Sequence, residues 1–227
     1  MSIAFPPLYA IIDADLLKGS ELSFAQRMAE SGVELLQYRA KHATTRQIFE
    51  TSRLLCEKFA AFPRESARGG PRPIKPRLIV NDRPDIAALL SAGGVHVGQN
   101  DLGVEQARAI VGNKCWVGVS THNLEQVAAA DKTSADYIAF GPVFPTATKE
   151  QPDPVVGLQM LAQARARTRK PLVVIGGITL ARAAETYRAG ADSLAVARDL
   201  ISARDPQAQV SAYLKEAALA GGSRRNV

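Results

Sequence analysis

The sequence predicts an α/β fold in which eight short strands alternate with helices and close into a parallel (β/α)8 barrel, the TIM barrel. Eight apolar runs of three to six residues recur along the chain, and a segment with helical periodicity follows each of them. The runs are apolar at nearly every position, as in strands that are buried on both faces of a parallel sheet. Polar side chains follow most of the runs, at the edge where such barrels place their chemistry.

The length of the chain agrees with one barrel of this kind. The 227 residues include 46% hydrophobic and 22% charged side chains, which is typical of a globular protein with a sizeable core. We therefore expect a single catalytic domain over residues 1–227. A doubly wound open sheet is the alternative, but such sheets often begin with a glycine-rich turn, and here the first strand runs into Asp13-Ala14-Asp15.

The first half of the chain contains four strand–helix units. Phe24 and Met28 have helical spacing, Gly32 ends their helix, and Ile48 and Phe59 mark one face of the next helix. We place strands at 8–12, 33–38, 78–80 and 95–97, and helices at 23–31, 45–59, 84–90 and 103–111.

The second half repeats the pattern four times. Asn123 and Thr179 are suitable N-cap residues, Gly190 ends a helix, and Asp205-Pro206 interrupts the last one. We place strands at 115–119, 137–140, 171–175 and 193–197, and helices at 124–132, 158–168, 180–189 and about 199–219.

Two segments are predicted to lack regular structure. Residues 62–77 are rich in proline, glycine and arginine, which indicates an irregular basic loop on the face opposite the carboxyl ends of the strands. The loop is therefore expected to be dispensable for the chemistry. The tail, at about 220–227, is expected to be frayed.

Charge and cysteine usage narrow the class of protein. The net charge is +6 and the pI is about 9.5, but the excess lies in loops, helix faces and the tail, with no basic stripe interleaved with aromatic residues. We expect neither a nucleic-acid partner nor a membrane partner, since no apolar run is long enough to span a bilayer. Two cysteines without metal spacing and no visible secretory signal favour a reduced, cytoplasmic protein.

Three polar residues share one side of the second strand and its end. Gln37, Arg39 and Lys41 alternate in the sequence QYRAK, so their side chains point the same way. At the mouth of a barrel, an amide, a guanidinium and an ammonium group suit a polyphosphate. A solvated strand end with separate charges is the alternative.

Two carboxylates end neighbouring strands. Asp82 follows the third strand and Asp101 follows the fourth, so the two groups are expected to lie close together. Such a pair repels unless a proton or a cation intervenes, and Mg²⁺ with water and phosphate oxygens would meet that need. The alternatives are a turn at Asp82 and an N-cap at Asp101.

Ser120 and His122 could serve as a nucleophile and its base, but no third group that orients them is evident. We therefore expect Ser120 to donate a hydrogen bond to a ligand. For His122, loop packing and proton transfer both stay open. His96 lies inside the fourth strand and is expected to be packed and hydrogen bonded.

Two further segments are candidates for binding an anion. The loop after the sixth strand offers Thr146, Thr148 and Lys149, whose hydroxyl and ammonium groups can clasp a phosphate. Gly176-Gly177 after the seventh strand and Ala197-Arg198 after the eighth precede helices, in the position of the phosphate site common in these barrels. Two anion sites at one mouth suggest either two phosphorylated substrates or one with phosphates at both ends.

Taken together, the segments resemble the thiamine phosphate synthase family over nearly the whole barrel. Jointly the motifs are specific, and they occur in the family's order: QYRAK at 37–41, NDRPDIA at 81–87, GVHVGQNDL at 94–102, GVSTHN at 118–123, ADYIAFGPVFPTATK at 135–149, VIGGIT at 174–179 and GADSLAVA at 190–197.

The resemblance implies a transferase that joins a pyrimidine diphosphate to a thiazole phosphate, giving thiamine phosphate and pyrophosphate with Mg²⁺ as cofactor. It implies that Asp82 and Asp101 bind the metal, and that Arg39, Lys41, Ser120 and Lys149 act in catalysis. The positions that match the pyrimidine diphosphate site are Gln37, Arg39, Lys41, Asn81, Ser120 and Lys149, and those that match the thiazole phosphate site are Thr146, Ala147, Thr148, Gly177, Ala197 and Arg198.

The sequence departs from the family at Arg198, where a small hydroxyl residue is usual, and the loop at 62–77 looks like an insertion. Tyr38 replaces the usual aliphatic residue.

The nearest alternative is a thiazole tautomerase relative that uses a histidine at the place of His122 but lacks the metal and diphosphate residues. A non-catalytic phosphate-ligand or RNA binder is the second alternative, and a homo-oligomer is left open.

Overall fold

A computed structural model describes residues 5–62, 75–146 and 153–224, the side chains of residues 222–224 excepted. Eight strands form a closed barrel in sequence order, and every neighbouring pair is parallel. The strands are β1 (Leu8–Asp13), β2 (Leu35–Arg39), β3 (Arg77–Asn81), β4 (Gly94–Val97), β5 (Trp116–Thr121), β6 (Tyr137–Phe140), β7 (Leu172–Val174) and β8 (Ser193–Val196).

Helices surround the barrel and connect its strands. They are α1 (Ala14–Leu17), α2 (Glu21–Glu30), α3 (Thr45–Ala60), α4 (Pro84–Leu89), α5 (Val104–Val111), α6 (Leu124–Asp131), α7 (Gly157–Arg165), α8 (Leu180–Arg188), α9 (Arg198–Ile201) and α10 (Pro206–Arg224). None of the helices in the described ranges has both the length and the apolar character needed to cross a membrane.

Alternation along the strands divides the core into two layers. On β1, Leu8, Ala10 and Ile12 face the helices and belong to a large outer cluster. The residues between them point into the barrel, where they join a smaller inner cluster of Tyr9, Ile11, Leu35, Ile79, Tyr137, Ala139, Val173 and Ala195. The barrel is therefore filled by side chains, and its chemistry belongs at the ends of the strands.

Local sequence explains where several helices begin. Thr44 and Gln47 form a capping box at the start of α3, with the Gln47 N–H donating to the Thr44 hydroxyl at 3.3 Å. Asn123 accepts from the Gln126 N–H at 2.8 Å and caps α6, as predicted. Pro84 occupies the first turn of α4, where a missing N–H costs nothing.

The structure confirms the barrel and all eight strands, and corrects some boundaries. Arg77 was expected in the loop, but it begins β3. α10 extends to Arg224 and packs against α8 and α2, and the fraying expected from about residue 220 stays a prediction. The short helix α1 was not predicted. The break near Asp205-Pro206 is confirmed between α9 and α10. Residues 63–74 and 225–227 lie outside the described ranges.

Candidate active site

Arg39 is held at the mouth of the barrel by a buried carboxylate. Its Nη1 donates to Asp13 Oδ2 at 2.8 Å, and the two residues are cross-strand partners at the carboxyl ends of β1 and β2. Asp13 is 1% exposed, and its other oxygen accepts from the Leu16 N–H at 3.3 Å. The guanidinium group carries several N–H donors beyond the one that meets Asp13, and these suit an anionic ligand.

Lys41 reaches from the end of β2 to the neighbouring strand, β3. Its ammonium group forms a short ion pair with Asp82 at the end of β3. Asp82 has a φ of 59°, a left-handed conformation that is uncommon for residues other than glycine, and its N–H donates to the His96 carbonyl at 2.8 Å. Strained backbone of this kind concentrates at functional sites.

Asp101 faces Asp82, as predicted. Burial raises the pKa of the Asp101 carboxyl, and the neighbouring Asp82 side chain raises it further. Asp101 Oδ2 also accepts from the Gly98 N–H at 2.7 Å. The N-cap of α5 is Gly103, so the alternative in which Asp101 caps that helix is wrong.

A chain of polar side chains crosses the interior of the barrel beneath this mouth. Gln37 Nε2 donates to the Tyr9 hydroxyl at 2.8 Å, which lies 3.0 Å from the Tyr137 hydroxyl. Tyr137 in turn lies 3.1 Å from His96 Nδ1, and His96 Nε2 lies 2.9 Å from Ser120 Oγ. We call these five residues the inner chain. His96 is packed and hydrogen bonded, as expected.

The inner chain connects two predicted ligand-binding residues, Gln37 and Ser120. Burial raises the pKa of both phenols, Tyr9 and Tyr137, far above the usual value, so both keep their protons. Asn81 ends β3 directly beside His96 in the strand register. Gln37, Asn81 and Ser120 thus lie on neighbouring parts of the barrel wall.

His122 fastens a loop in this structure. Its Nδ1 donates to the Gly141 carbonyl at 2.6 Å and lies 3.6 Å from Asp153 Oδ2. These contacts tie the end of β5 to both ends of the loop that follows β6. Of the two interpretations left open for His122, loop packing therefore has direct structural support.

The glycine pair after β7 lets that same loop approach. Gly176 and Gly177 have φ values of 97° and 63°, and a Cβ on either one would overlap Pro142 or the Phe144–Pro145 backbone. The Phe144 N–H donates to the Gly176 carbonyl at 3.0 Å. The predicted phosphate position at Gly177 is thus also a packing position.

The starts of α8 and α9 are joined by one carboxylate. Asp199 Oδ2 accepts from the Leu180 N–H at 3.1 Å, from Gln209 Nε2 at 2.7 Å and from the Tyr213 hydroxyl at 2.6 Å. Thr179 is the N-cap residue of α8, as predicted, but its side chain makes no capping bond, and Asp199 supplies that acceptor. Ala197 is the N-cap residue of α9, directly before Arg198.

Some predicted site residues cannot be placed. Thr146 ends the described part of the loop after β6 and is partly buried, whereas Ala147, Thr148 and Lys149 lie outside the described residues. The structure brings Arg39, Lys41, Asp82 and Asp101 to one side of the mouth, with Gln37, Asn81 and Ser120 beside them, and it places Gly177, Ala197 and Arg198 at the ends of β7 and β8.

Sequence reasoning missed three residues that shape this site. Asp13 was identified as a strand end but not as the partner of Arg39, and Tyr9 and Tyr137 were assigned to strands without a role. The signal that could have found them is alternation, because Tyr9 and Gln37 occupy inward positions on strands that pair in register. The contact between Tyr9 and Tyr137 joins residues 128 positions apart and has no local signal.

The fold and this mouth define an enzyme of the parallel-barrel class, with cations beside a carboxylate pair. The sequence profile of the thiamine monophosphate synthase family matches residues 8–200. A thiamine-phosphate synthase of Koribacter versatilis is 45% identical over 219 residues, covering 94% of this chain and 96% of that protein. One of Chloroflexus aurantiacus is 41% identical over 199 residues, covering 87% and 86%.

Solved structures agree with the sequence comparison. Thiamine phosphate pyrophosphorylase from Pyrococcus furiosus superimposes with a TM-score of 0.80 at 29% identity, covering 94% of this chain and 96% of that one. The chain belongs to the thiamine monophosphate synthase family.

Proposed function

We propose that this protein is a thiamine-phosphate synthase. It would join 4-amino-2-methyl-5-(diphosphooxymethyl)pyrimidine to 4-methyl-5-(2-phosphooxyethyl)thiazole, releasing pyrophosphate and forming thiamine phosphate. The observation that carries the proposal is the ion pair of Lys41 with Asp82, beside Asp101, at the mouth of the barrel. The names of its relatives support the same reaction.

The carboxylate pair fits Mg²⁺. The described residues contain no group of three or more histidine, cysteine or acidic side chains that could hold a metal ion. Mg²⁺ does not need such a cage, because it keeps several waters and binds through one or two carboxylates and the phosphates of a substrate. Burial first, and then the neighbouring Asp82 carboxylate, raise the pKa of Asp101, and a cation would offset both effects. A bound Mg²⁺ would add positive charge next to the departing diphosphate.

The residues around this pair would bind and activate the diphosphate. Arg39 is oriented by Asp13, and Lys41 lies beside Asp82, so both cations face the position where negative charge grows as the diphosphate leaves. We assign the same role to Lys149 on its match to the family. Gln37, Asn81 and Ser120 would hold the pyrimidine diphosphate in place.

The second substrate would be held on the other side of the mouth. Gly177 and the backbone at Ala197-Arg198 lie at the ends of β7 and β8, and Asp199 joins the helices that begin there. We assign the thiazole phosphate to this position, together with Thr146, Ala147 and Thr148 of the preceding loop. The thiazole nitrogen would then attack the pyrimidine methylene as pyrophosphate leaves.

No protein nucleophile is needed for this reaction. The aminopyrimidine ring can stabilise positive charge on its methylene carbon, so departure of the diphosphate and attack by the thiazole nitrogen complete the transfer. His122 Nδ1 is engaged with the Gly141 carbonyl, and Ser120 lies 2.9 Å from His96 rather than in a triad with His122.

The test is a two-substrate assay with and without Mg²⁺. We expect purified protein with both substrates and Mg²⁺ to release pyrophosphate and form thiamine phosphate in equal amounts. Asp82→Ala should reduce turnover by at least a hundredfold, whereas Asp85→Asn, on the exposed first turn of α4, should leave it unchanged. Thiazole tautomerisation without condensation would instead identify the protein as a tautomerase relative.

A further inference from the structure

The inner chain has a direction, which the chemistry of its members determines. An amide nitrogen carries only hydrogen-bond donors, so the Tyr9 oxygen accepts where Gln37 Nε2 approaches at 2.8 Å. A phenol that accepts at its oxygen still has one proton to donate. Either phenol could donate in the 3.0 Å contact between Tyr9 and Tyr137, and this remaining proton assigns Tyr9 as the donor and Tyr137 as the acceptor.

The same reasoning carries the direction to the far side of the barrel. Tyr137 accepts from Tyr9, so its own proton goes to His96 Nδ1, 3.1 Å away. A neutral imidazole with an unprotonated Nδ1 carries its proton on Nε2. His96 Nε2 therefore donates to Ser120 Oγ at 2.9 Å. Burial keeps both phenols protonated, since it raises the pKa of each far above 10.

The consequence falls on Ser120. Its oxygen accepts from His96, so its own hydroxyl proton is left to donate away from the chain. Its backbone is held in place as well, because Gln99 Nε2 donates to the Ser120 carbonyl at 2.6 Å. Ser120 is partly exposed at the end of β5, so the proton points toward the mouth of the barrel.

We propose that the inner chain fixes Ser120 as a hydrogen-bond donor to an acceptor atom of the pyrimidine diphosphate, with His96 as the positioning residue. The proposal rests on the proposed function for the identity of the substrate, but the direction of the chain rests on the Gln37 amide nitrogen that faces Tyr9. His96 acts through Ser120 and is not itself a catalytic residue. Tyr9 and Tyr137 act through His96.

The direction can be read without any substrate from the ¹⁵N signals of the histidine rings. The chain contains 3 histidines, so each can be assigned by comparison with a single variant. We expect His96 to be the neutral tautomer with its proton on Nε2. His122 is an internal reference with the proton on the other nitrogen, since its Nδ1 donates to the Gly141 carbonyl and must carry a proton. A proton on His96 Nδ1 would reverse the chain and overturn the proposal.

Tyr137→Phe tests whether the phenol sets the tautomer. The variant keeps the ring and removes the donor to Nδ1, so we expect a mixture of His96 tautomers in place of a single one. Retention of the pure Nε2–H tautomer in this variant would show that Tyr137 does not determine it. Melting curves of the variant establish whether the barrel is folded when the spectrum is recorded.

Kinetics then test whether His96 acts through Ser120. His96→Ala and Ser120→Ala should each lower kcat/KM for the pyrimidine diphosphate roughly tenfold, as expected for one lost hydrogen bond. The double variant should lose little more than either single one, because both changes remove the same interaction. His96→Gln offers an amide N–H where Nε2 stood and should recover most of the loss. Additive losses, or no rescue, would contradict the proposal.

Measurements of pyrophosphate binding identify which atom of the substrate accepts the Ser120 proton. If the Ser120 proton meets a diphosphate oxygen, His96→Ala should weaken the binding of pyrophosphate with Mg²⁺ about as much as it weakens the substrate. If it meets a ring nitrogen, pyrophosphate binding should not change while KM rises. KM for the thiazole phosphate should stay constant in both cases, and a matching rise there would overturn the assignment. Absence of condensation activity with the Nε2–H tautomer present would refute the proposed function and leave the direction of the chain standing.

Discussion

Asp13 and Arg39 are cross-strand partners joined by an ion pair of 2.8 Å, and the carboxylate is almost completely buried. A buried carboxylate without its cation is costly, and a guanidinium without its carboxylate loses its orientation. This pair therefore links the stability of the barrel to the position of a cation at its mouth.

Asp13→Asn should remove the ion pair with Arg39 while keeping the N-cap of α1. The amide oxygen can still accept from the Leu16 N–H, but the charge opposite Arg39 is gone. We expect the free energy of unfolding to fall by about 2 kcal/mol and KM for the pyrimidine diphosphate to rise several-fold. Asp85→Asn is the matched control, since it breaks an exposed pair with Arg83 and should change stability by less than about 0.5 kcal/mol. Equal effects of the two variants in urea titrations would contradict the prediction.

Asp101→Asn should make the metal-free protein slightly more stable. At neutral pH the variant removes the repulsion between two neighbouring carboxylates, which solvent partly screens, so Tm should rise by about 1 to 2 °C. MgCl₂ should raise the Tm of the wild-type protein but not that of the variant. Glu57→Gln, on an exposed face of α3, should respond to MgCl₂ like the wild-type protein. If MgCl₂ raised the Tm of the wild-type protein and of Asp101→Asn equally, Asp101 would not belong to the metal site.

Gly177→Ala should lower the free energy of unfolding by more than the strain of a positive φ alone explains. Gly157 has a similar φ, 74° against 63°, but a Cβ there would meet nothing within 4 Å. Gly157→Ala therefore measures the positive φ alone, at about 1 kcal/mol. Gly177→Ala adds the overlap with Phe144 and Pro145, so we expect a loss of about 3 kcal/mol and a higher KM for the thiazole phosphate. Chemical denaturation of both variants checks the difference.

Tyr213→Phe should affect one substrate more than the other. The phenol donates to Asp199 at 2.6 Å, and Asp199 joins the starts of α8 and α9. We expect a loss of about 1 to 2 kcal/mol in stability and a rise in KM for the thiazole phosphate alone. Ser211→Ala, on an exposed part of the same helix, is the control. An equal rise in KM for both substrates would show that Asp199 has no local role at that phosphate.

Cys115 should be inert toward thiol reagents in the native protein. Burial raises the pKa of its thiol to about 11, and this outweighs the lowering by the nearby Arg108 and Arg77. Because the folded value exceeds the unfolded one, the thiol favours folding below about pH 9, and that contribution is lost as the pH rises through 11. At pH 8 we expect Cys56, which is less buried, to react first and Cys115 only after unfolding. Mass spectrometry of partly labelled protein would reveal early labelling of Cys115, the contrary result.

The sequence predicted the barrel well because its signals are local. Short apolar runs, capping residues such as Asn123 and helix-ending glycines depend on neighbours within a few positions, and all eight strands were found. The polar residues after the strands could be recognised in the sequence in the same way, and a parallel barrel brings every carboxyl end to one face.

The contacts between distant segments could not be predicted in this way. The pairing of Asp13 with Arg39 depends on the register of β1 against β2, and the contact of Tyr9 with Tyr137 depends on closure of the whole barrel. The sharing of Asp199 between two helices requires α10 to return against α8. The roles of Ala147, Thr148 and Lys149 stay predictions.

Gly118 lies beside Tyr137 as its partner on the neighbouring strand, and a Cβ at position 118 would overlap the phenol ring. The space at positions 118 and 137 therefore holds only one ring, and it does so only when residue 118 has no side chain. An evolving lineage could not enlarge residue 118 without giving up the ring at 137 in the same step. We would expect such paired replacements to separate relatives that keep a continuous polar path from Gln37 to Ser120 from relatives in which that path is cut.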